Sequence, residues 1–253
     1  MKQRLKITMH GMTDVGRNRA HNEDAIAWDA KSGLALLADG MGGHQAGEVA
    51  SSLAVDLVKA SLADILAPTS MAADGVDYRL AVLDAVTKAN QEIFTQSQQR
   101  LECAGMGTTL VLGLFLGQRV ICAHVGDSRA YRLRKGELLQ LTSDHSLVQE
   151  MIDTGYLNET EGRLSNRRNI ITRALGIAAD VAVDIGEHEV HMGDVYLLCS
   201  DGLTDLVPDN EIRDCLMHNT ADPVRAVQQL VALANVKGGR DNISVILCAV
   251  HQA

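Results

Sequence analysis

Residues 34–38, 109–116, 120–125, 195–199 and 243–250 are apolar almost without interruption, often β-branched, and bounded by Gly, Asp or Asn. Short runs of this kind read as buried strands. Helical spacing of apolar residues marks 46–66 (Val49, Leu53, Leu57), 78–99 (Leu83, Val86, Ile93) and 223–235 (Val227, Leu230, Val231) as amphipathic helices. Strands come first, then a long helical pair, then more strands. Without strict βαβα alternation, that order favours an α+β layered sandwich over a doubly wound sheet. The chain shows no internal repeat, and 67–77 (APTSMAADGVD) reads as the loop between two antiparallel helices. A single domain over 1–253 is therefore expected.

Composition narrows the function. With 46% hydrophobic and 22% charged residues the chain can bury a substantial core. A formal charge of −9 and only 3% aromatic residues argue against nucleic acid or anionic lipid as partner. The cysteines (Cys103, Cys122, Cys199, Cys215, Cys248) are odd in number and mostly sit in apolar runs, as buried free thiols do. No signal peptide or membrane-spanning run is visible, so a soluble protein in a reducing cytoplasm is expected.

The acids fall in a pattern. LALLADG closes one strand at Asp39 and Gly40, AHVGDSR another at Asp127, and YLLCSDG a third at Asp201 and Gly202. Asp241 stands just before the last strand, and Glu23 and Asp24 lie together in RAHNEDAIAW. Any one Asp-Gly after a strand is also an ordinary turn signal. Converging carboxylates, however, resist joint ionisation unless cations neutralise them. Oxygen-rich, histidine-poor coordination selects Mg²⁺ or Mn²⁺, and a glycine such as Gly40 lets a backbone carbonyl approach a metal closely. A two-metal centre follows as the expectation.

The ordered blocks RNRAHNEDA, LLADGMGGHQAGE, GMGTTL, HVGDSRAYRL, LTSDHS, NIITRALG, LLCSDGLTD and GGRDNISVI resemble the PPM/PP2C family of metal-dependent serine/threonine protein phosphatases, especially its compact bacterial members. The resemblance runs over essentially the whole chain. It implies a central antiparallel β-sandwich flanked by pairs of helices, with metals at one end. Carried over by motif, Asp39 bridges two Mn²⁺ or Mg²⁺ ions, Glu23 and the Gly40 carbonyl complete one site, and Asp201 and Asp241 complete the other. Asp24 holds water, and Asp127 with Asp201 marks a possible third metal. Arg19, four residues before Glu23, matches the phosphate-binding arginine, for which a guanidinium fork is suited. His44 in DGMGGH is the candidate general acid, with a role in shaping its loop as the alternative. Residues 143–173, carrying Arg163, Arg167 and Arg168, correspond to the family's flap beside the active site.

The implied activity is hydrolysis of phosphoserine and phosphothreonine on proteins, opposing a bacterial kinase of eukaryotic type, by a monomer. A cysteine-dependent phosphatase would need Arg six positions after a cysteine, and no cysteine has one. The P-loop pattern GxxxxGK[ST] is absent, and His188 and His191 lack the HExxH of a zinc protease. Two other readings stay open: a pseudophosphatase that keeps the fold and only binds a partner, and a metal-dependent hydrolase of small phosphoesters or nucleic acids. Intact acids weigh against the first and the motifs against the second.

Overall fold

The computed structural model describes residues 5–42, 46–66, 76–165, 167, 169–220 and 222–252. Two antiparallel sheets face each other. One runs β1 (Leu5–Asp14), β11 (Ile243–Gln252), β10 (Val195–Cys199), β7 (Arg129–Arg134), β8 (Glu137–Gln140). The other runs β2 (Asp24–Asp29), β3 (Leu34–Met41), β5 (Leu110–Leu116), β6 (Arg119–Val125), β9 (Asp184–Glu189), with the short β4 (Gly107–Thr108) pairing the end of β3. The long helices α1 (Ala46–Leu66) and α2 (Tyr78–Gln99) cover the second sheet, while α6 (Asp209–His218) and α7 (Pro223–Val236) cover the first.

Continuous apolar strands are what this layering requires. In β3, Leu34, Leu36 and Ala38 pack under α1 and α2, whereas Ala35 and Leu37 face the space between the sheets. In β11, Ile243, Val245, Leu247 and Ala249 meet the α6–α7 layer, and Ile246, Cys248 and Val250 meet the opposite sheet. Successive side chains point to opposite faces of a strand, so a strand covered on both faces has no polar position. Each fully buried Leu contributes about 1.5–3 kcal/mol relative to exposure. Truncating Leu36, which is fully buried, to Ala costs about 2–5 kcal/mol once the cavity is counted.

The remaining helices are short. In the 143–173 region, α3 (Leu147–Asp153) is capped by the Ser146 side chain, which accepts from Gln149 N–H. There too, α4 (Glu159–Leu164) starts in a capping box between Asn158 and Glu161. Finally α5 (Asp201–Thr204) begins directly after β10. All five cysteines are free, and all but Cys215 are buried.

Candidate functional site

The register of β2 against β3 sets Asp24 directly opposite Asp39, and the Gly40 N–H donates to the Glu23 carbonyl at 3.0 Å. Glu23 and Asp24 thereby join Asp39 at the end of the second sheet. Gly40 and Gly47 make this possible. A Cβ on Gly40 would collide with the Gly47 carbonyl, and one on Gly47 would lie 2.8 Å from the Glu23 carboxyl carbon. The Glu23 carboxylate thus rests on the first turn of α1, where a helix N-terminus favours negative charge.

Asp39 is fixed through its backbone, and its carboxylate meets that of Asp24. Its N–H donates to Thr109 Oγ1 at 3.0 Å, and its carbonyl accepts from Thr108 Oγ1 at 2.9 Å and Thr109 N–H at 2.8 Å. Thr109 Oγ1 in turn lies 2.7 Å from Ser128 Oγ, one residue past Asp127. From the first sheet, Ser200 Oγ donates to Asp24 Oδ2 at 3.0 Å, and the next residue is Asp201, the first of α5.

Asn242 ties the two sheets together. Its Oδ1 accepts from Glu23 N–H at 2.8 Å, and its Nδ2 donates to the Val15 and His21 carbonyls at 3.0 Å each. Its own N–H donates to Asp241 Oδ1 at 2.8 Å. Motif reasoning passed over this residue and Gly47. An Asn before a strand reads as a turn residue, and only its reach to partners more than two hundred positions away reveals the function.

The structure therefore gathers Glu23, Asp24, Asp39, Asp127, Asp201 and Asp241 into one neighbourhood, within which the acids act on one another. Burial first, and then the charges of Asp24, Asp201, Asp127 and Asp241, raise the Asp39 pKa well above the carboxylate range. Asp201 is raised likewise, by burial and then by Asp127. Burial pushes Asp127 to about 7, with Asp144 adding to it, and Asp24 to about 6. Glu23 is raised by burial as well. Asp24, Asp127 and Asp201 each leave Oδ1 buried without a hydrogen-bond partner. Desolvated, partnerless carboxylate oxygens are costly, and hard divalent cations are the ligands that suit them.

Arg19 donates from Nη2 to Asp241 Oδ2 at 2.8 Å and stays half exposed. Its pKa is raised, chiefly by that bond. His44 lies outside the described residues, as do Arg168 and the side chain of Arg163, while Arg167 is exposed. A groove of about 330 Å³ leads away from Asp127 and Asp201 between α3, α4 and the turn from α5 to α6. His188 lies on β9, and His191 meets Glu189 at 3.4 Å, both away from the acids.

Residues 14–235 match the protein phosphatase 2C family. The serine/threonine phosphatase stp of Listeria monocytogenes is 39% identical over 238 residues, covering 93% of this chain and 92% of that protein. The Mycobacterium tuberculosis serine/threonine phosphatase PstP has a crystal structure that superposes with a TM-score of 0.87 at 38% identity, covering 98% of this chain and 100% of that one. A second structure of its catalytic domain, in complex with two manganese ions, gives a TM-score of 0.84 at 38% identity over 98% of this chain and 100% of that one.

Proposed function

This chain belongs to the protein phosphatase 2C family, and from that premise we propose that it hydrolyses phosphoserine and phosphothreonine on proteins by direct attack of water at phosphorus, opposing a Ser/Thr kinase of the same cytoplasm. One observation supports this reading: Asp24, Asp127 and Asp201 each bury a partnerless oxygen, and all three raise the Asp39 pKa by their charge. Two Mn²⁺ or Mg²⁺ ions held there would supply a water of lowered pKa and neutralise charge on the phosphate oxygens.

The side chains divide the work. Asp39, Glu23 and the Gly40 carbonyl would hold one cation, and Asp39, Asp201 and Asp241 the other. Asp24, its Oδ2 fixed by Ser200, would offer Oδ1 to a water. Asp127 with Asp201 would hold a third, weaker cation. Arg19 is anchored through one nitrogen to Asp241, which leaves the rest of its fork for the equatorial phosphate oxygens. His44 protonates the leaving alkoxide. A thiolate route finds no support in the described residues, because burial pushes the Cys122 and Cys199 thiols up to about 12.

Among the described residues no helix is long and apolar enough to cross a membrane. We read the chain as one phosphatase domain acting as a monomer. The test is turnover of a phosphothreonine peptide by wild type and Asp39→Asn, with Mn²⁺, with Mg²⁺ and after chelation. Metal-dependent turnover lost in the variant is expected. An inactive wild type under every condition would transfer the case to a partner-binding pseudophosphatase.

A further inference from the structure

A second polar cluster lies beside the acids. His124 near the end of β6, His145 at the entrance of the 143–173 region and Asp184 at the start of β9 bring ligand atoms within 4.8 Å of one another. Their types suit a transition metal, but a cation already fills the place. Arg173 Nη1 lies 2.9 Å from His145 Nε2, 2.8 Å from Asp184 Oδ1 and 3.3 Å from the Ala182 carbonyl. The two imidazoles also stack, with centroids 4.6 Å apart and planes inclined by 19°, which does not aim two in-plane lone pairs at one point.

The cluster is instead a joint. Thr172 N–H donates to the His145 carbonyl and Leu147 N–H to the Ile170 carbonyl, each at 2.9 Å, so the two stems of the flap are zipped together. From that zipper His145 reaches the turn that carries Asp127. Its N–H donates to the Gly126 carbonyl at 2.9 Å, and its Nδ1 accepts from Gly126 N–H at 3.0 Å. The turn has no slack. Gly126 has φ +103°, and a Cβ there would lie 2.6 Å from Thr109 Cγ2.

Two contacts compete for the ring. If Nδ1 accepts from Gly126, the neutral ring carries its proton on Nε2, facing Asp184 Oδ2 at 3.4 Å and the Arg173 nitrogen. If Nε2 accepts from Arg173, the proton on Nδ1 opposes a buried N–H. Arg173 has Asp184 and Ala182 as other acceptors, whereas the buried Gly126 N–H bonds to Nδ1, so the first arrangement leaves less unsatisfied. Burial, His124 and Arg173 all hold the His145 pKa below its ordinary value, which keeps the ring neutral near pH 7.

We propose that His145 is a positioning residue: by accepting the Gly126 N–H it locks the Asp127 turn to the zipped stems of the flap, so that the Asp127 carboxylate stays aimed at the acid cluster while the flap stems are closed. The inference rests on the reading of Asp127 as a cation-holding carboxylate.

Asn at 145 places an amide oxygen where Nδ1 stands, whereas Gln places its amide near Nε2 and leaves Gly126 without an acceptor. The full chain with Mn²⁺ would be compared as wild type, His145→Asn and His145→Gln, reading amide exchange at Gly126, Mn²⁺ affinity by calorimetry, and kcat and KM on a phosphothreonine peptide. Folding of each variant would be checked by circular dichroism. We expect Asn to keep Gly126 protected, and Gln to exchange it faster, lose about tenfold in kcat and in the weakest Mn²⁺ affinity, and keep KM within about twofold. Equal behaviour of folded Asn and Gln variants would overturn the proposal. Nitrogen chemical shifts of wild-type His145 give a check that needs no variant: a proton on Nδ1 sinks the idea and a proton on Nε2 sustains it. An inactive wild type would count against the phosphatase reading alone, since exchange and tautomer still report on the joint.

Discussion

Where Arg173 meets His145 and Asp184, the ring and the carboxylate both find partners, and none of these side chains leaves a buried polar atom orphaned. A short distance away, Asp24, Asp127 and Asp201 each leave one oxygen enclosed and unmatched. Both clusters stand at the same end of the sandwich, but Asp184 and Arg173 keep contact with water whereas Asp24, Asp39 and Asp201 are enclosed. One is complete in the folded chain itself, and the other is complete only with something added. The lesson is that ligand-type residues in proximity do not mark a binding site. His124, His145 and Asp184 are the tighter set, yet a guanidinium already answers their charge, whereas the looser acids repel one another.

The contrast can be broken most forcefully at Asp39. Asp39→Asn is expected to lower kcat/KM by at least about 10³-fold, or roughly 4 kcal/mol of transition-state stabilisation, in a steady-state assay with Mn²⁺. The same change should raise the melting temperature of chelated protein, because it removes a desolvated charge pressed by like neighbours. A variant that loses both activity and metal-free stability would make Asp39 structural.

The self-sufficient side has its own test at Arg129, which grips Asp144 through Nε and Nη2 at 2.6–3.0 Å. The Asp144 side chain is only 10% exposed. Arg129→Met leaves that carboxylate buried with only the Gln140 amide donating to it, at a cost of about 3 kcal/mol in urea unfolding, the same with or without Mn²⁺. A metal-dependent cost would erase the distinction between the clusters.

Acidity sharpens it further. In chelator, the unfolded acids titrate near 3.8 while folded Asp24 and Asp127 titrate at about 6 and about 7. The folded state therefore binds more protons between those values. The contribution of these two acids to stability is greatest below about 4 and declines as pH rises through 7. Thermal melts should show that decline without metal and a reversal with saturating Mn²⁺, which competes best once the protons have left. The smallest expected effect is at Arg19: Arg19→Lys should raise KM for a phosphopeptide about tenfold with calorimetric Mn²⁺ affinity unchanged, since an ammonium cannot make the forked contact.

How much of this was legible depended on which face each strand shows. The central strands β3, β5, β6, β10 and β11 announce themselves because both faces are covered and long apolar runs dominate them. Strand β7 (RAYRLR) escaped notice. Its charges are accommodated by partners distant in sequence, as when Arg134 meets Asp194 at 2.7 Å. In β1, Gly11 looks like a strand breaker until the Trp28 ring is found lying where its side chain would be. The acids were legible as candidates, but their meeting was not. It depends on the β2–β3 register and on Asn242, whose bonds join residues far apart in the chain.

The place of β11 in its sheet has a consequence for how the enzyme comes into being. That strand lies between β1 and β10, with Leu5 opposite Gln252 and Val195 opposite Ala249. On the ribosome, β1 emerges before β11 and must wait, an unpaired edge, until Ile243 and the residues after it have been made. Asp241 and Asn242 come just ahead of that same strand, so the acidic centre cannot assemble before they are made. A premature stop ahead of Asp241 therefore yields a protein without catalysis, whatever else of it folds.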